Sequence, residues 1–190
     1  MDPVTLTTDR LLLRAPGPED ADAVLAAAQD PDIQRWTSIP SPYLREHAES
    51  FLGRLVPQGW SEGTMLTWGL FLPAGEPLVG MVSLTMRSVG TVEVGYWGVK
   101  EHRGNGYIVE AVRTVSRWAF TELSVDRVEW RAEVGNAPSL TVVERVGFVL
   151  EGVQRSAIVH QGVRRDCWSG ALLPSDLGLP STTPYLPAPR

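Results

Sequence analysis

Apolar positions in this chain change period several times, and the changes mark its elements. Residues 6–14 read as a first strand. Pro18 then stands at a helix start, with Glu19 and Asp20 in the first turn and Ala21, Val24, Leu25 and Ala28 on one stripe. Asp30-Pro31 ends that helix. Residues 31–42 read as a loop anchored by Trp36 and Ile39, residues 43–56 as a second helix, and residues 58–63 as a turn. Three strands follow, at 65–72, 77–87 and 91–99. The turns Pro73-Ala74-Gly75 and Ser88-Val89-Gly90 join them closely enough for an antiparallel meander. Ile108, Ala111, Val112, Val115, Trp118 and Ala119 recur at helical spacing. The helix they define is long enough to let the next strand, 127–134, lie parallel to a neighbour. A short helix over 138–146 closes at Gly147, and strands 149–159 and 164–172 form a hairpin through His160-Gln161-Gly162. The order β-α-α-β-β-β-α-β-α-β-β predicts an α+β (mixed α/β) single domain over residues 1–173. Its sheet is mixed but mostly antiparallel, with about seven strands flanked by about four helices.

From Pro174 the character changes. Prolines 174, 180, 184, 187 and 189 recur among Ser, Thr and Gly, which makes residues 174–190 a Pro-rich tail. Either it is an unanchored terminus, or it is an arm laid over the domain or a partner subunit through Tyr185 and Leu186.

Composition narrows the function. A chain of 190 residues is enough for one full core. No apolar run approaches a membrane span, and the start carries no basic-then-apolar leader, so a cytoplasmic protein without membrane contact is expected. The net charge of −5 argues against nucleic acid and is compatible with a cationic amine. Cys167 is the single cysteine, beside Trp168 in the last strand, and reads as core packing. His47, His102 and His160 lie far apart without ligand spacing, so no metal is expected.

The strongest chemical signal is Arg103-Gly104-Asn105-Gly106-Tyr107-Ile108, with Glu110-Ala111 behind it, where the strand 91–99 gives way to a helix. Glycines at such a turn let the backbone approach a ligand and aim free N–H groups at it. A helix start carries roughly half a positive charge, and Arg103 adds a fork suited to phosphate oxygens. The local reading is a pyrophosphate cradle, although a plain helix-entry turn has the same residues. A Rossmann fingerprint needs a third glycine, which is missing. A Walker loop needs Lys after its glycines, and the single lysine, Lys100, precedes them.

Four ordered segments together resemble the GNAT superfamily of acyl-coenzyme A N-acyltransferases, in particular the branch of ribosomal-protein amino-terminal acetyltransferases. Thr8-Asp9-Arg10-Leu11-Leu12-Leu13-Arg14 resembles that branch's first strand, and Glu93-Val94-Gly95-Tyr96-Trp97 its fourth. Residues 103–111 are similar to its Arg/Gln-x-x-Gly-x-Gly/Ala signature. Asn136-Ala137-Pro138-Ser139, with Gly147-Phe148 and Glu151-Gly152, resembles its later segments. Together they span about residues 8–170. Ile108 departs from the signature, where Gly or Ala is usual, and no tyrosine lies between Tyr107 and Tyr185.

The resemblance implies a GNAT-like sheet splayed between its fourth and fifth strands. Coenzyme A would lie around residues 97–99 and 131–134, its pantetheine amides bonded to freed backbone groups. Trp97, Gly98 and Val99 would contact it, with a backbone N–H near Trp97 or Gly98 facing the thioester oxygen. Arg103, Gly104, Asn105, Gly106, Tyr107 and Ile108 would hold its phosphates. Glu93, in phase with Gly95 and Trp97, is the candidate base or amine-orienting group; otherwise it is an exposed strand carboxylate and the proton leaves through water. Ser139 is the candidate partner or acid for the coenzyme A sulfur, or else a helix-start serine bonding backbone N–H groups. Asn136 either bonds the pantetheine or caps the helix. The tyrosine acid of many superfamily members has no counterpart here. Trp36 and Trp60 are placed near the acceptor mouth. The implied reaction is acetyl transfer from acetyl-coenzyme A to a primary amine, either a protein N-terminus or a small amine, with a homodimer as a further expectation. The alternative is a non-catalytic acyl-coenzyme A-binding regulatory module.

Overall fold

The computed structural model describes residues 1–74 and 77–188. Gly75 of the expected turn and Pro189 of the tail fall outside them. Among the described residues the strands form one eight-stranded sheet. The expected first strand is two short strands, β1 (Leu6–Thr7) and β2 (Leu12–Arg14), paired antiparallel with Leu6 opposite Leu13. Thr8 makes the break: its N–H donates to Leu11 O, and its Oγ1 accepts from the N–H of Leu11, both at 2.9 Å. The meander continues as β3 (Met65–Phe71), β4 (Leu78–Ser88) and β5 (Thr91–Gly98). After the long helix come β6 (Arg127–Glu133), β7 (Val149–His160) and β8 (Val163–Leu172). The strand order is β1-β2-β3-β4-β5-β6-β8-β7, antiparallel except for β5 with β6. Gln161 and Gly162, both at positive φ, make the two-residue turn between β7 and β8.

The helices are α1 (Ala21–Ala27), α2 (Pro31–Trp36), α3 (Arg45–Ser50), α4 (Val56–Glu62), α5 (Tyr107–Glu122) and α6 (Ala137–Val146). A π turn, Phe51–Leu55, joins α3 to α4, so the expected second helix and the turn after it form one continuous rod that ends at Gly63. The expected loop over 31–42 is also corrected. Its first half is α2, because the Asp30 carboxylate accepts from the N–H of Asp32 (3.0 Å) and Pro31 suits a first helical position.

The sheet separates two cores. One face packs Val92, Val94, Val128, Trp130 and Ala132 against α5 and α6. The other packs Phe71, Leu78 and Met81 against α1 and α3. Cys167 is fully buried. The tail is anchored, but not where expected. Leu177 and Leu179 pack on the main core, and Asp126 accepts from the backbone N–H groups of Thr182 and Thr183. Tyr185 and Leu186 are exposed.

The feature that positions the site is the junction of β5 and β6. They pair only at Thr91–Arg127, Val92–Val128 and Glu93–Glu129. Beyond that point each strand keeps its outer neighbour and loses its inner one. On the outer sides, Gly98 still faces Gly80 of β4, and Glu133 still faces Cys167 of β8. The expected splay is present. It lies between the fifth and sixth strands because the first is divided.

Candidate active site

A cleft of about 1010 Å³ opens where β5 and β6 part. Glu93, Trp97, Gly98, Arg103, Gly104, Gly106, Tyr107, Ile108, Asn136 and Ser139 all line it, so ten of the twelve expected site residues meet there. Val99 and Asn105 are not among its lining residues. The Val99 N–H is spent on Val79 O (3.0 Å), which makes it the last rung of the β4 ladder. The Asn105 side chain turns back to His102 O (3.1 Å) and closes its own loop.

The glycine loop ends in a free helix start. Gly104 and Gly106 sit at φ +81° and +79°, conformations that side-chain-bearing residues rarely adopt. Among the described residues, the first backbone N–H of α5 with a carbonyl partner is that of Glu110, which reaches Gly106 O (3.0 Å). The amides before it are left to other partners, as at any helix start, where the positive end of the helix lies. Two segments read separately in the sequence meet here. Arg10 Nε donates to Glu110 (2.7 Å) and its NH1 to Asn105 O (3.0 Å), so the first-strand arginine fastens the loop to the helix. Ile108, the departure from the signature, also has a local reason. A Cβ on Gly80 would lie 2.8 Å from Ile108 Cδ1, and one on Gly98 would lie 3.3 Å from Ile108 Cγ1. Two facing glycines therefore make room for the larger side chain.

Arg103 is less free than its position in the motif suggests. Its guanidinium is ion-paired with Asp30 and with Asp32 (3.1 Å), and its Nε donates to Gly98 O (3.1 Å). It ties the glycine loop to the start of α2. The other end of α2 is also tied. Arg35 forms a two-pronged pair with Glu133 at 2.6 and 2.9 Å, and His160 lies beside it, 3.2 Å from Arg35. Those hydrogen bonds hold the Glu133 carboxyl below its ordinary value, against the opposing effect of burial. Sequence reading missed this group, because Arg35 fell in an expected loop and His160 in an expected turn.

At the apex of the splay, Ser139 Oγ accepts from Trp130 Nε1 (3.0 Å) and lies 2.9 Å from the Tyr96 hydroxyl. The helix-capping role falls to Asn136, whose Oδ1 accepts from the N–H of Ser139 (3.3 Å). The serine hydroxyl is engaged with Trp130 and Tyr96 instead of with the helix start. Glu93 lines the cleft and pairs with Arg87 (2.9 Å). Trp36 lines the cleft as expected. Trp60 does not: it is 1% exposed, edge-on to Trp68, and its indole N–H is bonded to Thr67 O, so it belongs to the core. Among the described residues no cluster of His, Cys, Asp and Glu could hold a metal ion, and no helix is long and apolar enough to cross a membrane.

Known proteins are similar to this chain in sequence and in fold. An uncharacterized N-acetyltransferase of Bacillus licheniformis, p20, is 27% identical over 171 residues, covering 89% of this chain and 96% of its own. RimJ of Mycobacterium smegmatis, solved in complex with CoA-disulfide, superposes with a TM-score of 0.82 at 22% identity, covering 94% of this chain and 92% of its own. RimL, a ribosomal L7/L12 alpha-N-protein acetyltransferase solved in complex with coenzyme A, superposes with a TM-score of 0.80 at 18% identity, covering 90% and 98%. Residues 10–149 match the acetyltransferase (GNAT) domain, and the chain belongs to that family of acetyl-coenzyme A-dependent N-acetyltransferases.

Proposed function

We propose that this chain transfers an acetyl group from acetyl-coenzyme A to the α-amine of a protein or peptide terminus, by direct attack on the thioester. The observation that carries the reading is the splayed β5–β6 junction with the glycine loop at its end. The inner edges of residues 94–98 and 130–133 have no strand partner and would bond the pantetheine amides. Residues 104–109 would meet the phosphates with free N–H groups. In the reaction the neutral amine forms a C–N bond at the carbonyl, the C–S electron pair goes to sulfur, and the ammonium proton leaves to water or Glu93. Ser139 would meet the departing sulfur.

Two points favour a peptide terminus over a small polycation. The structural likeness to RimL, a ribosomal-protein α-N-acetyltransferase, is one. The other is the cleft lining, where Trp36, Ile39, Phe51, Met65 and Met81 are apolar. The acids there, Asp32, Glu93 and Glu133, are already paired with Arg103, Arg87 and Arg35. A polyamine pocket needs carboxylates to spare.

The test is thiol release from acetyl-coenzyme A, with short peptides of varied first residue compared against free polyamines and aminoglycosides. Peptides should accelerate release, and the same peptides with blocked amino termini should not. Binding of acetyl-coenzyme A without release for any acceptor would instead indicate the regulatory binding module. In the active reaction Glu93→Gln should lower turnover and alter the acid limb of the pH–rate profile while coenzyme A affinity holds. An unchanged rate and profile would reduce Glu93 to its pairing with Arg87.

A further inference from the structure

The hydroxyl of Ser139 is held from two sides. Trp130 Nε1–H can only donate, so it occupies one lone pair of Ser139 Oγ, at 3.0 Å. The Tyr96 hydroxyl lies 2.9 Å from Oγ and 3.0 Å from the Ser139 backbone O, and it has one proton to give. Either oxygen of the Tyr96–Ser139 pair can donate; when Tyr96 gives its proton to Oγ rather than to the Ser139 backbone O, both lone pairs are filled. The serine proton is then left the one remaining tetrahedral direction, away from both donors. Ser139, Tyr96 and Trp130 all line the cleft at the apex of the splay. Burial drives the Tyr96 pKa well above its ordinary value, and its hydrogen bond to Ser139 only partly opposes this. Tyr96 therefore stays neutral at working pH and does not itself surrender a proton.

We propose that Tyr96, together with Trp130, is a positioning residue that turns the Ser139 Oγ–H toward the leaving sulfur. This rests on the reading of Ser139 as the group that meets that sulfur. As the C–S bond breaks, its electron pair becomes the thiolate lone pair, which accepts a hydrogen bond from Ser139 Oγ–H. The proton that completes the thiol comes from the acetylated ammonium through solvent. Tyr96 and Trp130 lose and gain no protons. They hold the donor in place before charge develops, so no reorientation is needed during the step. The missing tyrosine acid is thus answered by a different arrangement, in which a serine from α6 is aimed by a tyrosine from β5.

The experiment compares Tyr96→Phe, Ser139→Ala and the double variant in steady-state transfer, with coenzyme A affinity measured alongside. A lost neutral hydrogen bond is worth about 1 kcal/mol, so Tyr96→Phe should lower kcat roughly five- to tenfold. Its coenzyme A Kd should stay nearly unchanged, because Tyr96 acts through Ser139 rather than on the ligand. Ser139→Ala should lower kcat by at least as much. The double variant should be no slower than Ser139→Ala, because Tyr96 acts only through that hydroxyl. Multiplying effects, or a normal Tyr96→Phe rate beside a slow Ser139→Ala, would overturn the positioning role and leave the Ser139 reading standing. An unchanged Ser139→Ala rate would instead remove the reading beneath it. If Tyr96→Phe fails to fold, Trp130→Phe takes its place, since it strips the other donor and must show the same non-additivity.

Discussion

At Gly106, which lines the cleft, the backbone stands at φ +79°. A valine there would carry about 1–2 kcal/mol of left-handed strain and would put a branched side chain where phosphate must approach. Gly106→Val should weaken coenzyme A binding by tenfold or more in calorimetry, yet affect pantetheine much less; undiminished coenzyme A affinity in the variant would remove the cradle. Single residues were legible where their chemistry is local. Gly104, Gly106, Asn136 and Ser139 follow from the turn and the helix start beside them. Tyr96 was not legible, since its partner Ser139 lies 43 positions away and no spacing rule links a strand to a later helix. Val99 and Asn105 stand outside the cleft lining, and their polar groups are spent on Val79 O and His102 O.

Among the elements, α2 was hidden. Six residues carry too little periodicity to stand out, and Asp30-Pro31, read as a helix stop, is also a helix start. The helix is pinned at both ends, to Arg103 and to Glu133. This changes what Arg103→Ala should do. A free arginine on phosphate would contribute about 1.5–3 kcal/mol of charged hydrogen bonding, tenfold or more in affinity. Here the guanidinium already holds Asp30, whose side chain is 8% exposed, and Asp32. The substitution should therefore cost stability first, about 1 kcal/mol or a melting-point drop of roughly 2–4 °C, with less than a tenfold loss of coenzyme A affinity. A large affinity loss at an unchanged melting temperature would mean that Arg103 abandons the carboxylates for phosphate. Likewise the splay leaves no mark on the apolar pattern, since Val94, Trp130 and Ala132 stay buried whether or not their strands pair. It was legible only through the resemblance of whole segments.

On the scale of the whole molecule, charge pairs join the two arms of the cleft through α2, and their effect on stability has a defined pH window. The Glu133 carboxyl is depressed below its ordinary value of 4.5, chiefly by its hydrogen bonds to Arg35. Its contribution is complete above that ordinary value and is lost as pH falls through the lower folded one. Glu133→Gln should flatten the fall in melting temperature below about pH 4.5 relative to the parent; parallel curves would show that the pair adds nothing. The central claim is that acetyl-coenzyme A lies between β5 and β6 with its phosphates on the start of α5. Hydrogen exchange of the backbone amides, with and without acetyl-coenzyme A, tests it most directly. Exchange should slow at residues 94–98 and 104–109 together, while the exposed edge strand β7 stays unchanged. Slowing that misses both segments, or that appears only at β7, would contradict the account.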